Sequence, residues 1–310
     1  MSNKLKIFSF PDKNPEYLQL QIDSYRIYME DENTEFIVIN ASTNHEAEVY
    51  KICELNNIQC IKYTGPNLGF SDYYVQQLNW FRDNIQRHIS DNIMLIHSDM
   101  FFINKLDYKT LMLDKEIYIN PQYRDNNSLY YMWDGVLLFN SEYINSNKLT
   151  DLFIWDSIIG VSDMGGKTNT FLSLLDATKC GFFEFWNIYS INDNILDTHL
   201  NGNIRFTFDI NERKLREAIP MGNKSFPYED EKENYNDYYI DKLMEVKHLY
   251  SDKYNFPHPI YFDVIQIKNG ELSKAPILHL KSGSGYQSWN NDNYVKQKLQ
   301  ELEKMIKNNE

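Results

Sequence analysis

An α/β fold built on a mostly parallel sheet flanked by helices is what this sequence predicts, and three observations carry that reading. Residues 4–63 alternate strand-like and helix-like stretches in the order β-α-β-α-β, which calls for parallel strands joined by right-handed crossovers. Within residues 92–103, Asn-Ile-Met-Leu-Ile-His-Ser-Asp-Met-Phe-Phe-Ile, the four apolar residues 93–96 read as a strand buried on both faces inside a parallel sheet. That run ends abruptly on His97-Ser98-Asp99 before apolar residues resume. Each strand of this first part ends in small or polar residues, so one crevice is lined where open α/β sheets place their ligands.

The elements follow in order. Residues 4–10 alternate and run into Pro11, a first strand entering a loop. Pro15 opens an amphipathic helix to about Glu30, with Leu18, Ile22, Tyr25 and Met29 on one stripe. Residues 35–39 form a second buried strand that stops at Asn40-Ala41-Ser42-Thr43-Asn44. A helix from His45 to about Asn56 and a third strand at 59–63 complete the parallel unit. The loop 65–72 and a helix over about 72–88 lead into the central strand. Beyond it, residues 135–140 read as a strand preceded by Trp133-Asp134, and 151–159 and 168–177 as helices. Residues 220–239 are charged and rich in Tyr and Asn, the composition of a loop. A helix at about 237–251 and strands near 259–267 and 277–280 make an α+β C-terminal extension. A charged amphipathic helix over 291–310 is expected on the surface.

Composition narrows the function. The net charge of −13 argues against a general nucleic-acid binder and against adhesion to anionic lipid. No apolar run is long enough to cross a membrane, and the start leads into a strand rather than a signal-peptide core, so a soluble, cytoplasmic protein is expected. Cys53, Cys60 and Cys180 have neither zinc spacing nor an even count and read as reduced thiols. Aromatic residues make up 15% of the chain, more than a core needs and compatible with stacking surfaces for sugars or bases.

The chemistry concentrates at the end of the central strand. Asp99 is a hard oxygen donor and His97 a nitrogen donor; two residues apart, they share one side if the chain stays extended. That pair suits a divalent ion carrying a diphosphate, since Mg²⁺ or Mn²⁺ takes one or two protein ligands and fills its shell with phosphate and water. The alternative is a polar turn with Asp99 as a cap. His279 ends the last strand, ahead of Lys281 and the loop Ser282-Gly283-Ser284-Gly285, whose backbone N–H groups suit an anion. The Asn40–Ser42 turn suits hydrogen bonding to a base or ribose, or equally the capping of the next helix. Gly69 admits close backbone approach to a ligand or simply makes a turn, and Asp72 suits a ribose contact or a helix N-cap.

Four pieces together, in order, resemble family 2 glycosyltransferases of the GT-A fold. Residues 38–43 resemble the first nucleotide-binding turn, with Asn40 where an acid is common. Asn67-Leu68-Gly69-Phe70 looks like the Asn-x-Gly-Phe loop, with Asn79 where a helical Asn often follows. Residues 94–102 resemble the Asp-x-Asp strand, with His97 replacing the first acid and Asp99 retained as the second. Residues 134–140 look like the acceptor-side strand.

The resemblance implies a GT-A-like domain over 1–290, with a nucleotide-sugar half at about 1–105 and an acceptor half at about 106–290. It implies transfer of a sugar, UDP-linked by preference, from a nucleotide-diphosphate donor to a hydroxyl on a glycan, protein or small molecule. On that pattern Mn²⁺ or Mg²⁺ is held by His97, Asp99 and His279. The donor is contacted by Phe10, Asn40, Ser42, Gly69, Asp72, Ser98, Lys281, Ser282 and Gly283. Asp163 stands where the family carries its acidic base, and it equally suits a helix cap; Asp134 is the second candidate, as base or acceptor contact. A nucleotidyltransferase and a non-catalytic sugar- or nucleotide-binding protein are the alternatives. Donor sugar, acceptor, stereochemistry and oligomeric state stay open.

Overall fold

The computed structural model describes residues 4–11, 15–66, 70–124, 129–158, 164–192, 195–200, 204–209, 214–220, 241–242, 244–245, 247–252, 262–268, 270–280, 300, 302–304 and 306–307. Its first part realises the expected parallel unit. The elements are β1 (Leu5–Ser9), α1 (Pro15–Tyr28), β2 (Thr34–Asn40), α2 (Glu46–Leu55), β3 (Gln59–Lys62), α3 (Phe70–Asn84) and β4 (Asn92–Ile96). β1 pairs in parallel with both β2 and β4, and β2 with β3, giving the order β3-β2-β1-β4.

The apolar residues explain that layering. In each strand alternate side chains face opposite ways. Leu5, Ile7, Phe36, Val38, Met94 and Ile96 meet Leu18, Ile22 and Tyr25 of α1 and Val49 and Cys53 of α2. Phe8, Phe10, Ile37, Ile39, Ile93 and Leu95 meet Val75, Leu78 and Phe81 of α3 on the other face. Two helices therefore cover one side of the sheet and the third covers the other. β4 has all five residues buried, which is why its sequence is a continuous apolar run rather than an alternating one.

After β4 the chain leaves the parallel pattern. β5 (Met100–Phe102) is followed by α4 (Tyr108–Asp114), β6 (Ile117–Arg124), β7 (Leu129–Asn140), α5 (Ser141–Ser146) and α6 (Asn169–Leu174). Then come β8 (Cys180–Asn192), β9 (Ile195–Leu200), β10 (Ile204–Asp209), β11 (Lys214–Pro220), β12 (Phe262–Ile267) and β13 (Ile277–Leu280). β7 runs antiparallel to β4 and β6, β6 is parallel to β8, and β8 to β11 form an antiparallel meander. β12 lies against β8, β13 against β12, and β5 against β13, all antiparallel. The sheet is thus mixed, with its parallel character mostly in the first four strands, where the sequence predicts a mostly parallel one.

The central strand ends where the sequence breaks: β4 stops at Ile96, and the Met100 N–H donates to the His97 carbonyl at 3.2 Å, closing the polar turn that the sequence leaves open as an alternative to extended chain. The helices expected later in the chain are corrected by the structure. The helix expected over 151–159 is a single 3₁₀ turn, Thr150–Leu152, followed by irregular chain to 158. Asn79 explains the interruption. Its amide donates to the Trp155 carbonyl (2.7 Å) and its Oδ1 accepts from the Trp155 N–H (3.1 Å), taking the groups a helix would have used. The shorter helix α6 stands within 168–177, and a π-helical turn, Lys247–Asp252, ends the helix expected at 237–251. Of the tail, residues 302–304 and 306–307 are helical, with Leu302 and Ile306 buried and the Tyr28 hydroxyl donating to the Ile306 carbonyl (2.6 Å). The loop expected at 220–239 falls largely outside the described residues.

Candidate active site

Strand order places the crevice. From β1 the chain moves one way to β2 and β3, then returns across the sheet to β4 on the opposite side of β1. Connections therefore diverge at the carboxyl ends of β1 and β4, the switch point where open α/β sheets bind ligands. His97, Ser98 and Asp99 form the turn directly after β4.

Gln21 of α1 fixes that turn. Its side chain is fully buried; Nε2 donates to the carbonyls of His97 and Met100, each at 2.8 Å, while Oε1 accepts from the Ser9 hydroxyl at 2.5 Å. From the other side the His97 N–H donates to the Gly135 carbonyl (2.9 Å), and the Leu280 N–H donates to the Asp99 carbonyl (2.8 Å). The turn is held by β1, α1, β7 and β13 at once.

These contacts line up alternating carboxylates and imidazoles. Asp134 Oδ2 is 3.6 Å from His97 Nε2, and His97 Nδ1 is 4.0 Å from Asp99 Oδ1. Asp99 Oδ1 is in turn 3.6 Å from His279 Nε2, whose Nδ1 lies 3.0 Å from Asp263 Oδ2. Asp263 and His279 are directly opposed on β12 and β13, so they share a face. Trp133 packs between the two imidazoles, with ring centroids 5.3 Å from His97 and 5.5 Å from His279. Tyr74 stands edge-on to His97 at 4.8 Å. Asp99, Asp134, Asp263 and His279 are buried, and His97 and Trp133 are half-buried, the more accessible members of the row.

The electrostatics follow from this packing. Burial pushes the Asp99 carboxyl up, but His279 first and then His97 hold it below the usual carboxylate range. Burial pulls His279 down, and Asp99 together with the hydrogen bond to Asp263 overcomes it, leaving the imidazole raised to about 9. Tyr74 is pushed well above the ordinary phenol value by burial, then by Asp134 and Asp99. Three polar atoms in this row, His97 Nε2, Asp99 Oδ1 and Asp134 Oδ2, are buried without a hydrogen-bond partner. Such atoms are costly to bury unless something satisfies them.

Does the set fit a divalent ion? Among the described residues no group of three or more His, Cys, Asp or Glu side chains is gathered to hold one. A pair does fit. With Asp263 taking the Nδ1 proton of His279, Nε2 presents either a second proton or a lone pair toward Asp99 Oδ1. Donor atoms about 2.1 Å from one ion lie roughly 3–4 Å apart, the separation seen here.

The other sequence-derived candidates are placed as follows. Asn40 and Ser42 are buried and engaged with the chain around the start of α2: Asn40 Nδ2 donates to the Glu46 carbonyl, Asn40 Oδ1 accepts from the Ser42 N–H, and Ser42 Oγ accepts from the His45 N–H. Phe10 is buried edge-on to Tyr74 and Phe81, behind the cluster. Ser98 is half-buried in the turn. Asp72 lies in the first turn of α3, with its side chain outside the described residues. Gly69, Asp163, Lys281, Ser282 and Gly283 also lie outside them. The structure adds Asp263, Tyr74 and Gln21, which the sequence does not single out, and places Trp133, a candidate for stacking on a sugar face or for packing, between the two imidazoles.

Gly135 makes room for Trp133. A Cβ at 135 would overlap the indole ring, its neighbour two residues back on the same face. Gly135→Ala is therefore expected to displace Trp133 from between His97 and His279 and to destabilise the fold by about 1–3 kcal/mol. Urea titration followed by tryptophan fluorescence measures it; an unchanged midpoint and spectrum would show that Trp133 needs no such clearance.

By strand order and crevice position this is a Rossmann-like α/β protein with an antiparallel extension, and no helix among its described residues is long and apolar enough to cross a membrane. No protein-family model and no curated protein matches the chain. Among solved structures it is similar to the apo form of the bifunctional glycosyltransferase WbbM, at 10% identity and a TM-score of 0.40, over 59% of this chain and 39% of that one. An active-site mutant of LgtC gives 16% identity and 0.39, over 57% of this chain and 72% of the other. The apo form of mouse xyloside xylosyltransferase 1 gives 12% and 0.38, over 57% and 84%. The chain thus spans about two fifths of WbbM, and these partial likenesses decide nothing about chemistry.

Proposed function

We propose that the protein is a GT-A-like, metal-dependent glycosyltransferase that moves a sugar from a nucleotide-diphosphate donor, UDP-linked by preference, to a hydroxyl acceptor. One observation carries this reading. Asp99 Oδ1, buried and without a hydrogen-bond partner, faces His279 Nε2 at 3.6 Å beside the crevice between β1 and β4.

In this reading Asp99 and His279 hold Mn²⁺ or Mg²⁺, with His97 as the third candidate, and Asp263 orients His279 through Nδ1. The bound ion would neutralise the diphosphate as it leaves. Asp134, against His97 Nε2, accepts the proton of the acceptor hydroxyl as that oxygen attacks the anomeric carbon. Asp163 remains the alternative base. A second reading, a non-catalytic sugar- or nucleotide-binding protein, is favoured by His97 in the place of an acid.

Thermal-shift measurement with nucleotides and nucleotide sugars, each with Mn²⁺, Mg²⁺ or EDTA, tests the proposal. A ligand at a hundred times its Kd adds about 2.7 kcal/mol, seen as a higher Tm. A shift with UDP or a UDP-sugar that disappears in EDTA is expected. No shift with any nucleotide under any metal condition would overturn the transferase reading.

A further inference from the structure

Helix α2 ends in a turn that returns the chain directly to the sheet. Asn57 stands at φ 53°, in the left-handed region, and the N–H groups of Asn57 and Ile58 donate to the carbonyls of Glu54 (3.1 Å) and Cys53 (2.9 Å). Helix α1 clamps this turn. Asn56 Nδ2 donates to Gln19 Oε1 (2.8 Å), and Arg26 donates to Asn56 Oδ1 (2.8 Å) and to the Asn56 carbonyl (2.6 Å). Strand β3 therefore starts at Gln59 with little freedom in its placement.

The return brings two thiols together. Val49 and Cys53, four residues apart, are the buried residues of α2 and meet the sheet. Cys60 is the register partner of Val38, shares its helix-covered face, and packs against the same core. Cys53 is buried, Cys60 is half-buried, and the two free thiols are hydrogen-bonded to each other.

The pair is asymmetric. The hydrogen bond to Cys60 and then burial hold Cys53 protonated, well above an ordinary thiol. The same bond first, and against burial a second one from Asn40, hold Cys60 below the ordinary thiol. Cys60 is thus the more accessible sulfur and the better nucleophile, with a second thiol in contact to resolve what it forms. Cys180 differs: it belongs to the core on the opposite face of the sheet, and burial pushes its thiol up to about 12.

We propose that Cys60 and Cys53 are a peroxide-reactive dithiol that closes reversibly to a disulfide, a site that stands whether or not the chain transfers sugar. The Cys60 thiolate attacks one oxygen of hydrogen peroxide, the O–O bond breaks, and the leaving hydroxide takes up the proton Cys60 had shed, giving a sulfenic acid and water. The Cys53 sulfur then attacks the Cys60 sulfur. The S–O bond breaks, the S–S bond forms, and the Cys53 proton leaves with the hydroxyl as a second water. A small thiol reopens the bond by exchange and is itself oxidised to its disulfide.

Hydrogen peroxide added to the reduced chain tests the pair. By intact mass the chain should lose two hydrogen atoms and regain them with dithiothreitol. Cleavage after Glu54 divides Cys53 from Cys60, so the two fragments should stay joined until reduced. In Cys53→Ser, Cys60 should stop at the sulfenic acid and take up dimedone, whereas Cys60→Ser should neither take up dimedone nor form the bond. If Cys53→Ser fails to fold, the fragments of the unaltered chain decide. The proposal is overturned if peroxide leaves the mass unchanged, if oxygen is added without a bond between the fragments, if Cys180 takes part, or if the bond forms only after unfolding in urea.

Discussion

If the proposed transferase reading holds, Asp99→Asn is expected to abolish the metal-dependent stabilisation by a nucleotide sugar, about 2.7 kcal/mol at a hundredfold excess over Kd, and the proposed transfer with it. The substitution keeps the shape of the side chain and removes its charge. Asp99 Oδ1 faces both His279 and His97, so no other carboxylate in the row replaces it between the two imidazoles. It is also the leading influence raising His279, which should fall back toward an ordinary imidazole in the variant. The thermal-shift series measures the first effect, and the His279 ring signals followed by NMR against pH measure the second. A variant that keeps the full metal-dependent shift would remove Asp99 from the metal site.

Gln21→Leu should be the most damaging change outside the row itself. The substitution is close in volume, so little cavity forms, but three hydrogen bonds disappear together. The Met100 carbonyl and the Ser9 hydroxyl lose their Gln21 partner, the His97 carbonyl keeps only the Met100 N–H, and a buried polar group left unmatched costs about 1–3 kcal/mol. Even after partial rearrangement the loss should exceed about 3 kcal/mol, read as the drop in urea unfolding free energy. Gln21→Glu is the informative companion, because its carboxylate still accepts from Ser9 but cannot donate to both carbonyls. A Gln21→Leu protein as stable as the parent would mean that the turn is set by β7 and β13 alone.

The parallel half is legible in the sequence because local pattern and global packing agree there. The stripe on α1 is the stripe that buries, and β4 reads as doubly buried because helices cover both of its faces. Of the later strands, parts of β7, β12 and β13 are legible, whereas β8 to β11 are not, for identifiable reasons. In β8 the run Phe183-Glu184-Phe185-Trp186 interrupts its apolar signal with a carboxylate that is buried all the same. Strand β9 carries Asp197, Thr198 and His199 and finds its place through long-range pairing, which single-sequence periodicity does not encode.

The candidate site divides in the same way. His97, Asp99, Asp134 and His279 were found because each marks a strand end or its approach, and the fold brings them into one row. Asp263 was missed because its importance comes from standing opposite His279, a fact of register. His97 and Asp99 sit in the polar turn that the sequence leaves open beside extended chain, and they still meet because Gln21 and the neighbouring strands hold that turn. Asn40 and Ser42 show the opposite error risk, where side chains suited to a nucleotide are engaged by the backbone of a helix start.

The docking of β13 against β5 has a consequence for synthesis. The Ile103 N–H donates to the Pro276 carbonyl, the Leu280 N–H to the Asp99 carbonyl, and His279 completes the surroundings of Asp99. A chain emerging from the ribosome has all four parallel strands once residue 96 is out, but the row from Asp134 to Asp263 is not complete until residue 280 has followed. A copy that ends before residue 280 would therefore lack the pairing of Asp99 with His279 on which the proposed metal site depends.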